Sequence, residues 1–294
     1  METIVQMLAR ELDQSAQHVQ NVVDLLDEGN TIPFIARYRK ELHGSMDDTV
    51  LRTLEERLQY LRSLEKRREE VRSAIEAQGK LTEALSAAIA SAVTLAEVED
   101  LYRPYKPKRR TRATVARERG LEPLAELLFA QGPDCPDPLA AAAAYVDPEK
   151  GVETLADALQ GASDIIAETI SDDAAIRKSL RELVLKRGQL VSKAATEEDT
   201  VYRLYYDFAQ SIPRLQGHQI LAINRGEREG ALKAVVVTDR DQALPLLRRA
   251  VVRPGTRAME FMKAVAEDAY DRLLYPSLER EVRNTLTDQA SEGA

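Results

Sequence analysis

From Asp48 onward, Leu51, Leu54, Leu58, Leu61, Leu64, Val71 and Ile75 recur at spacings of three, four or seven until Gly79. Such a stripe fits one face of an α-helix, where 3.6 residues complete a turn; a half-buried strand would need strict alternation. The run predicts a single helix of roughly eight turns. Its other face carries Arg52, Glu55, Glu56, Arg57, Arg62, Glu65, Lys66, Arg67 and Arg68, mixed in sign and often four apart. Mixing at that spacing indicates a solvated surface with local ion pairs rather than an anion-binding face.

Most of the chain repeats this helical period. Leu8 and Leu12, then Val19, Val22, Val23 and Leu26, give two short helices, the second opened near Ser15 and closed by Gly29. Thr94 and Glu97 have the spacing of a capping box. Three prolines and a glycine within 131–138 make the strongest break. Beyond it, Ser171 reads as the cap of a helix stopped by Gly188, and further helices are expected over 242–252 and 257–275. Tyr202, Tyr205, Tyr206 and Phe208 read as core and helix-packing aromatics in a helical context. Leu-Lys-Ala-Val-Val-Val-Thr at 232–238 is the only convincing strand candidate. The expected fold is therefore mostly α and multi-helical, with at most a small β element near 232–238. Three regions are expected: 1–130, with the long helix and a basic connector; 131–275, a second helical region; and 276–294, the start of a linking helix.

At 294 residues and 44% hydrophobic content the chain has material for about two cores, and without Trp these fall to Leu, Val, Ile and Ala. No run reaches the length of a bilayer span, and the acidic start METIVQMLARELDQ lacks the basic and apolar parts of a secretory signal. Cys135 is the only cysteine. It excludes an intrachain disulfide and fits a reducing, cytoplasmic setting.

The chain carries a net charge of −8, yet LYRPYKPKRRTRATVARERG at 101–120 is strongly basic. Arg103, Lys106, Lys108, Arg109, Arg110, Arg112, Arg117 and Arg119 stand against Glu118 alone, a local balance of +7. Cations at that density, with Tyr102 and Tyr105 beside the first of them, match phosphates and base faces of a nucleic acid. Pro104 and Pro107 break any amphipathic helix that would lie on a membrane. Neutralisation of an acidic neighbour is the alternative reading of the same charge. Arg37, Arg39 and Lys40 form a second candidate patch, with Ile32, Phe34 and Ile35 of the same stretch assigned to the core.

Chemistry beyond binding is not visible. His18, His43 and His218 are far apart and show no metal-ligand spacing, Cys135 has no histidine near it in sequence, and no phosphate-cradling glycine loop is present. No metal, cofactor or enzymatic activity is expected.

TIPFIARYRKEL at 31–42, LRTLEERLQYLRSLEKRREEV at 51–71, QGKLT at 78–82, EDLYRPYKPKRRTRATVARERGLEPLA at 99–125 and INRGEREGALKAVV at 223–236 resemble the N-terminal region of Tex, the family of bacterial transcription accessory proteins. The resemblance implies a mostly helical module with helix-turn-helix-like elements, similar in architecture to the eukaryotic elongation factor Spt-six. It further implies that an RNase H-like domain, helix-hairpin-helix elements and an OB-type RNA-binding domain follow, so that the chain is expected to be a fragment. Two functions stay open at this point. One is a sequence-nonspecific nucleic-acid-binding module, with RNA ahead of DNA as partner. The other is a helical scaffold that docks RNA polymerase or other transcription proteins, or positions the missing RNA-binding domains. Oligomeric state is left open.

Overall fold

The structure, a computed structural model, describes residues 1–292 and is mostly α, with one small sheet. The chain divides into two compact units, Met1–Tyr102 and Arg103–Ala294.

The first unit contains α1 (Ile4–Leu12), α2 (Ala16–Asp27), α3 (Ile32–Tyr38), α4 (Lys40–His43), α5 (Asp48–Ala77), α6 (Glu83–Ser91) and α7 (Leu95–Tyr102). Helix starts follow cap chemistry: Thr3, Ser15, Thr31, Asp47 and Thr82 each accept a hydrogen bond from the backbone N–H three residues on. At Thr94 the hydroxyl accepts from the Glu97 N–H at 3.1 Å, while the Glu97 carboxylate accepts from the Val93 N–H at 2.8 Å, one residue before the expected cap. All seven stripe residues of α5 are buried, and the helix packs against α1, α2, α3, α6 and α7. Part of its charged face reaches across the unit: Arg57 is bidentate to Glu11 at 3.0 Å, and Arg62 to Asp27 at 2.7 and 2.9 Å. Arg72, paired with Glu69 and Glu76, keeps the local pattern.

In the second unit α8 (Arg112–Glu118), α9 (Glu122–Ala130) and α10 (Pro138–Ala142) pack around α11 (Leu155–Ser171). Gly161 allows the close approach, since a β-carbon there would lie 2.2 Å from Leu121 Cδ1 and 3.3 Å from Ala116 Cβ. The proline-rich stretch 131–138 lies inside this unit: Cys135 is buried in its core, and the Gln131 side chain donates to the Val251 carbonyl and accepts from the Arg253 N–H.

Helix α12 (Ala174–Arg187) is capped by Asp173, which accepts from the Ile176 N–H at 2.9 Å. The cap is therefore not Ser171, which is buried at the end of α11 and accepts from Arg177, a fully buried arginine, through its carbonyl at 2.5 Å and its hydroxyl at 3.2 Å.

The β content exceeds the single expected strand. β1 (Gln189–Ala194), β2 (Asp207–Ser211) and β3 (Leu232–Val237) form an antiparallel sheet in the order β2-β1-β3. Tyr202, Tyr205 and Phe208 do pack as core aromatics, Tyr205 and Phe208 edge-on at 5.2 Å, but their backbone is a 3₁₀ turn leading into a strand. Helices α13 (Gly217–Arg228), α14 (Arg240–Val251), α15 (Met259–Asp268) and α16 (Tyr275–Glu292) complete the unit, with a π-helical segment, Ala269–Leu274, joining the last two. Of the region 276–294, residues 293 and 294 lie outside the described residues.

One edge of the sheet is closed by side chains. On the side of β3 away from β1, the Ala234 N–H donates to Glu227 at 3.3 Å and its carbonyl accepts from Arg283 at 3.2 Å. The Val236 N–H donates to Glu279 at 3.2 Å and its carbonyl accepts from the Tyr275 hydroxyl at 2.6 Å. Helices α13 and α16 thus satisfy backbone groups that an edge strand leaves open.

Candidate nucleic-acid interface

The basic connector opens the second unit. Arg103–Tyr105 is a 3₁₀ turn, residues 106–111 have no regular structure, and Thr111 starts α8 by accepting from the Thr114 N–H at 3.2 Å. Pro104 and Pro107 keep the segment from continuing α7.

The nine candidate residues separate by partner. Lys108 pairs with Asp172 and, at 3.5 Å, with Glu168. Arg110 is bidentate to Glu118, both bonds 2.8 Å. Arg117 pairs with Glu168 at 3.3 Å and Glu122 at 3.5 Å, and Arg103 donates to the Ser277 hydroxyl at 3.3 Å. These side chains hold the connector to α11 and α16, or, for Arg110 and Arg117, also bind acids close by in sequence. Tyr105 is half-buried. Lys106, Arg109, Arg112 and Arg119 are exposed, and among the described residues none has a carboxylate within salt-bridge distance.

Burial pushes the Glu168 carboxyl up, but Thr111, Lys108 and Arg117 together outweigh it and hold this group below the usual carboxylate range. For Asp172 burial wins over Lys108, and the carboxyl is raised.

Lys150 joins the exposed cations without any sequence signal. It lies some thirty residues downstream, at the end of the Pro148–Lys150 turn. A β-carbon on Gly120 would lie 3.4 Å from Lys150 Nζ, and one on Gly151 would lie 3.2 Å from Arg119 Nε, so the two turns interleave. Gly120 and Gly151 both have positive φ, at +77° and +88°, which keeps these turns tight. Beside them, Arg112 and Arg119 face Asp157, Gln160 and Asp164 across a groove of about 240 Å³. Its acids have other partners: Asp157 accepts from the Thr154 N–H, and Asp164 from Gln160, with Arg272 at 3.8 Å.

The second patch lies in the first unit. Arg37 sits over the Tyr38 ring at 5.7 Å, Arg39 pairs with Glu41 at 3.7 Å, and Lys40 is exposed, without a carboxylate partner among the described residues. Ile32 and Ile35 are buried as expected, but Phe34 is 39% exposed and belongs to the surface. It stands on the solvent-exposed face of a two-turn helix whose buried face the two isoleucines occupy.

Among the described residues, no three His, Cys, Asp or Glu side chains converge as metal ligands, and no helix is long and apolar enough to cross a membrane. Cys135 is buried, which pushes its thiol pKa up.

The architecture is that of a multi-helical module with an exposed cation cluster at the start of its larger unit. Residues 2–76 match the Tex-like protein N-terminal domain and residues 134–294 the Tex central region-like family. The chain belongs to the Tex family of transcription accessory proteins. It is 44% identical over 295 residues to the uncharacterized protein YdcI of Bacillus subtilis, covering 98% of this chain and 41% of that protein. It is 36% identical to the transcriptional accessory protein Tex of Neisseria gonorrhoeae, covering 99% of this chain and 39% of the relative. The human S1 RNA-binding domain-containing protein 1 is 34% identical, over 98% of this chain and 30% of its own length. The chain thus spans about two fifths or less of these relatives.

Proposed function

We propose that this chain is a nucleic-acid-binding section of a transcription accessory protein, holding phosphates without reading sequence and without catalysing a reaction. The observation that carries this is the division of the connector: Lys106, Arg109, Arg112 and Arg119 stay exposed and without carboxylate partners, while their neighbours anchor it. Cations with no carboxylate within salt-bridge distance among the described residues attract phosphate, and release of its counterions drives binding. The name of the human relative, which carries an RNA-binding domain, supports RNA ahead of DNA. Bacterial transcription takes place in the cytoplasm, which is the location we infer.

A change of Lys106, Arg109, Arg112 and Arg119 together to Ala tests the reading. Affinity for single-stranded RNA should fall for all sequences alike. The slope of log affinity against log salt should flatten by roughly 0.7 per lost contact, to a total of about 3. Binding equal to the parent's at low salt would remove the connector from the interface.

The scaffold reading draws support from Lys108, Arg110 and Arg117, whose charge the chain itself uses. It expects the parent chain to ignore RNA at low salt and to co-purify with RNA polymerase.

A further inference from the structure

Helix α3 carries apolar residues on both a buried and an exposed face. Ile32 and Ile35 are 6% and 0% exposed and enter the core, while Phe34 and Tyr38 are 39% and 60% exposed. These two rings are one turn apart, with centroids at 5.2 Å and planes tilted by 46°. Two adjacent exposed aromatic rings leave apolar area in water that a cover would remove. The chemistry of that cover follows from the surroundings. Arg37 lies over Tyr38, and among the described residues Lys40 has no carboxylate partner and Arg39 is met only by Glu41, at 3.7 Å. Three cations against one carboxylate leave the patch at +2.

An apolar protein surface placed over the rings would strip water from these cations without neutralising them. A single-stranded nucleic acid satisfies both parts, since every base offers a π-face to the rings while phosphates meet the cations. We propose that Phe34 and Tyr38 form a stacking platform for unpaired bases, with Arg37 and Lys40 holding the flanking phosphates. The proposal rests on the reading of the chain as nucleic-acid-binding and adds a second site and a preference for single strands. Bases inside a duplex are already stacked and have no free face to offer.

The sequence contains no Trp, so Phe34→Trp places a single indole at the platform. The probes are a uridine-rich RNA of about twelve nucleotides, within the range such sites cover, the same RNA annealed to its complement, and inorganic polyphosphate. The single strand should quench the indole at concentrations where anisotropy shows it bound, and the duplex and polyphosphate should not. Phe34→Ala with Tyr38→Ala should weaken the single strand by about tenfold or more, leave the duplex unchanged and keep the salt slope. Phe34→Leu with Tyr38→Leu, which keeps apolar bulk and removes the π-faces, should give the same loss if the alanine pair unfolds the unit.

Bound RNA without quenching would overturn the platform, as would equal weakening of single strand and duplex. So would parent-like RNA binding by the alanine pair, the result expected if a protein covers this face. Binding that is lost in the connector variant but intact in the Phe34/Tyr38 variant overturns the platform alone. A parent that binds no nucleic acid at low salt overturns the platform and the function proposed above together.

Discussion

The Thr111 hydroxyl donates to the Glu168 carboxylate at 2.8 Å and accepts from the Thr114 N–H at 3.2 Å. One side chain therefore starts α8 and fixes that start to α11. Glu168 also receives Lys108 and Arg117, so it is a point at which the basic connector and α8 are held to α11. Its position holds Lys108 and Arg117 to the fold.

Glu168→Gln should destabilise the second unit by about 1–3 kcal/mol at neutral pH, because it removes the charge that three donors share in a partly buried site. Its carboxyl is held below the ordinary value of 4.5 in the folded chain. The stabilisation is therefore fully present above 4.5 and is lost as pH falls through the lower, folded value. Parent and variant melting temperatures should converge in that acidic range; a difference that persists below it would show that the charge is not the cause.

Lys108→Ala and Arg109→Ala, neighbours in sequence, should do opposite things. The first takes Lys108 from Asp172 and leaves Glu168 with Thr111 and Arg117, in a site where the two acids are only 14% and 15% exposed, and should cost about 1–2 kcal/mol of stability with little change in salt slope. The second should leave melting unchanged and flatten the slope for RNA by roughly 0.7. The same response from both would erase the distinction between anchoring and outward cations.

Gly188→Ala tests the junction between α12 and β1. A β-carbon there would lie 2.4 Å from the Val184 carbonyl oxygen, a backbone atom that cannot step aside as a side chain could. We expect a loss of about 1–3 kcal/mol in chemical denaturation. An unchanged midpoint would show that the helix end relaxes freely.

Arg177→Met should cost about 3 kcal/mol in the same measurement. The fully buried guanidinium donates to the Ser171 carbonyl and hydroxyl and, at 3.1 Å, to the Ser277 hydroxyl, groups that methionine leaves without this donor. Stability equal to the parent's would mean that other donors replace it.

The helical architecture was legible because start, period and stop agree: Asp48, the leucine stripe and Gly79 mark α5 almost to the residue. The strands β1 and β2 were not. Leu190 is the one large apolar side chain that β1 buries, Ser192 takes the next inward position, and β2 has Phe208 alone, so neither shows a run of alternating apolar residues. Their pairing is long-range, and sequence spacing does not report it. At the connector the charge was evident, but its use was not. Lys108 differs from Arg109 because Glu168 and Asp172 arrive some sixty residues later, and Lys150 joins Arg119 through two tight turns. Phe34 was misplaced for a simpler reason: in so short a helix, hydrophobicity alone does not say which apolar residue faces the core.

The side chains that close β3 also limit how copies of this chain can associate. A fibre of stacked strands needs every molecule to accept a neighbour on both margins of its sheet. Here one margin is occupied by Glu227, Arg283, Glu279 and Tyr275, so pairing through β2 would end at two molecules instead of propagating.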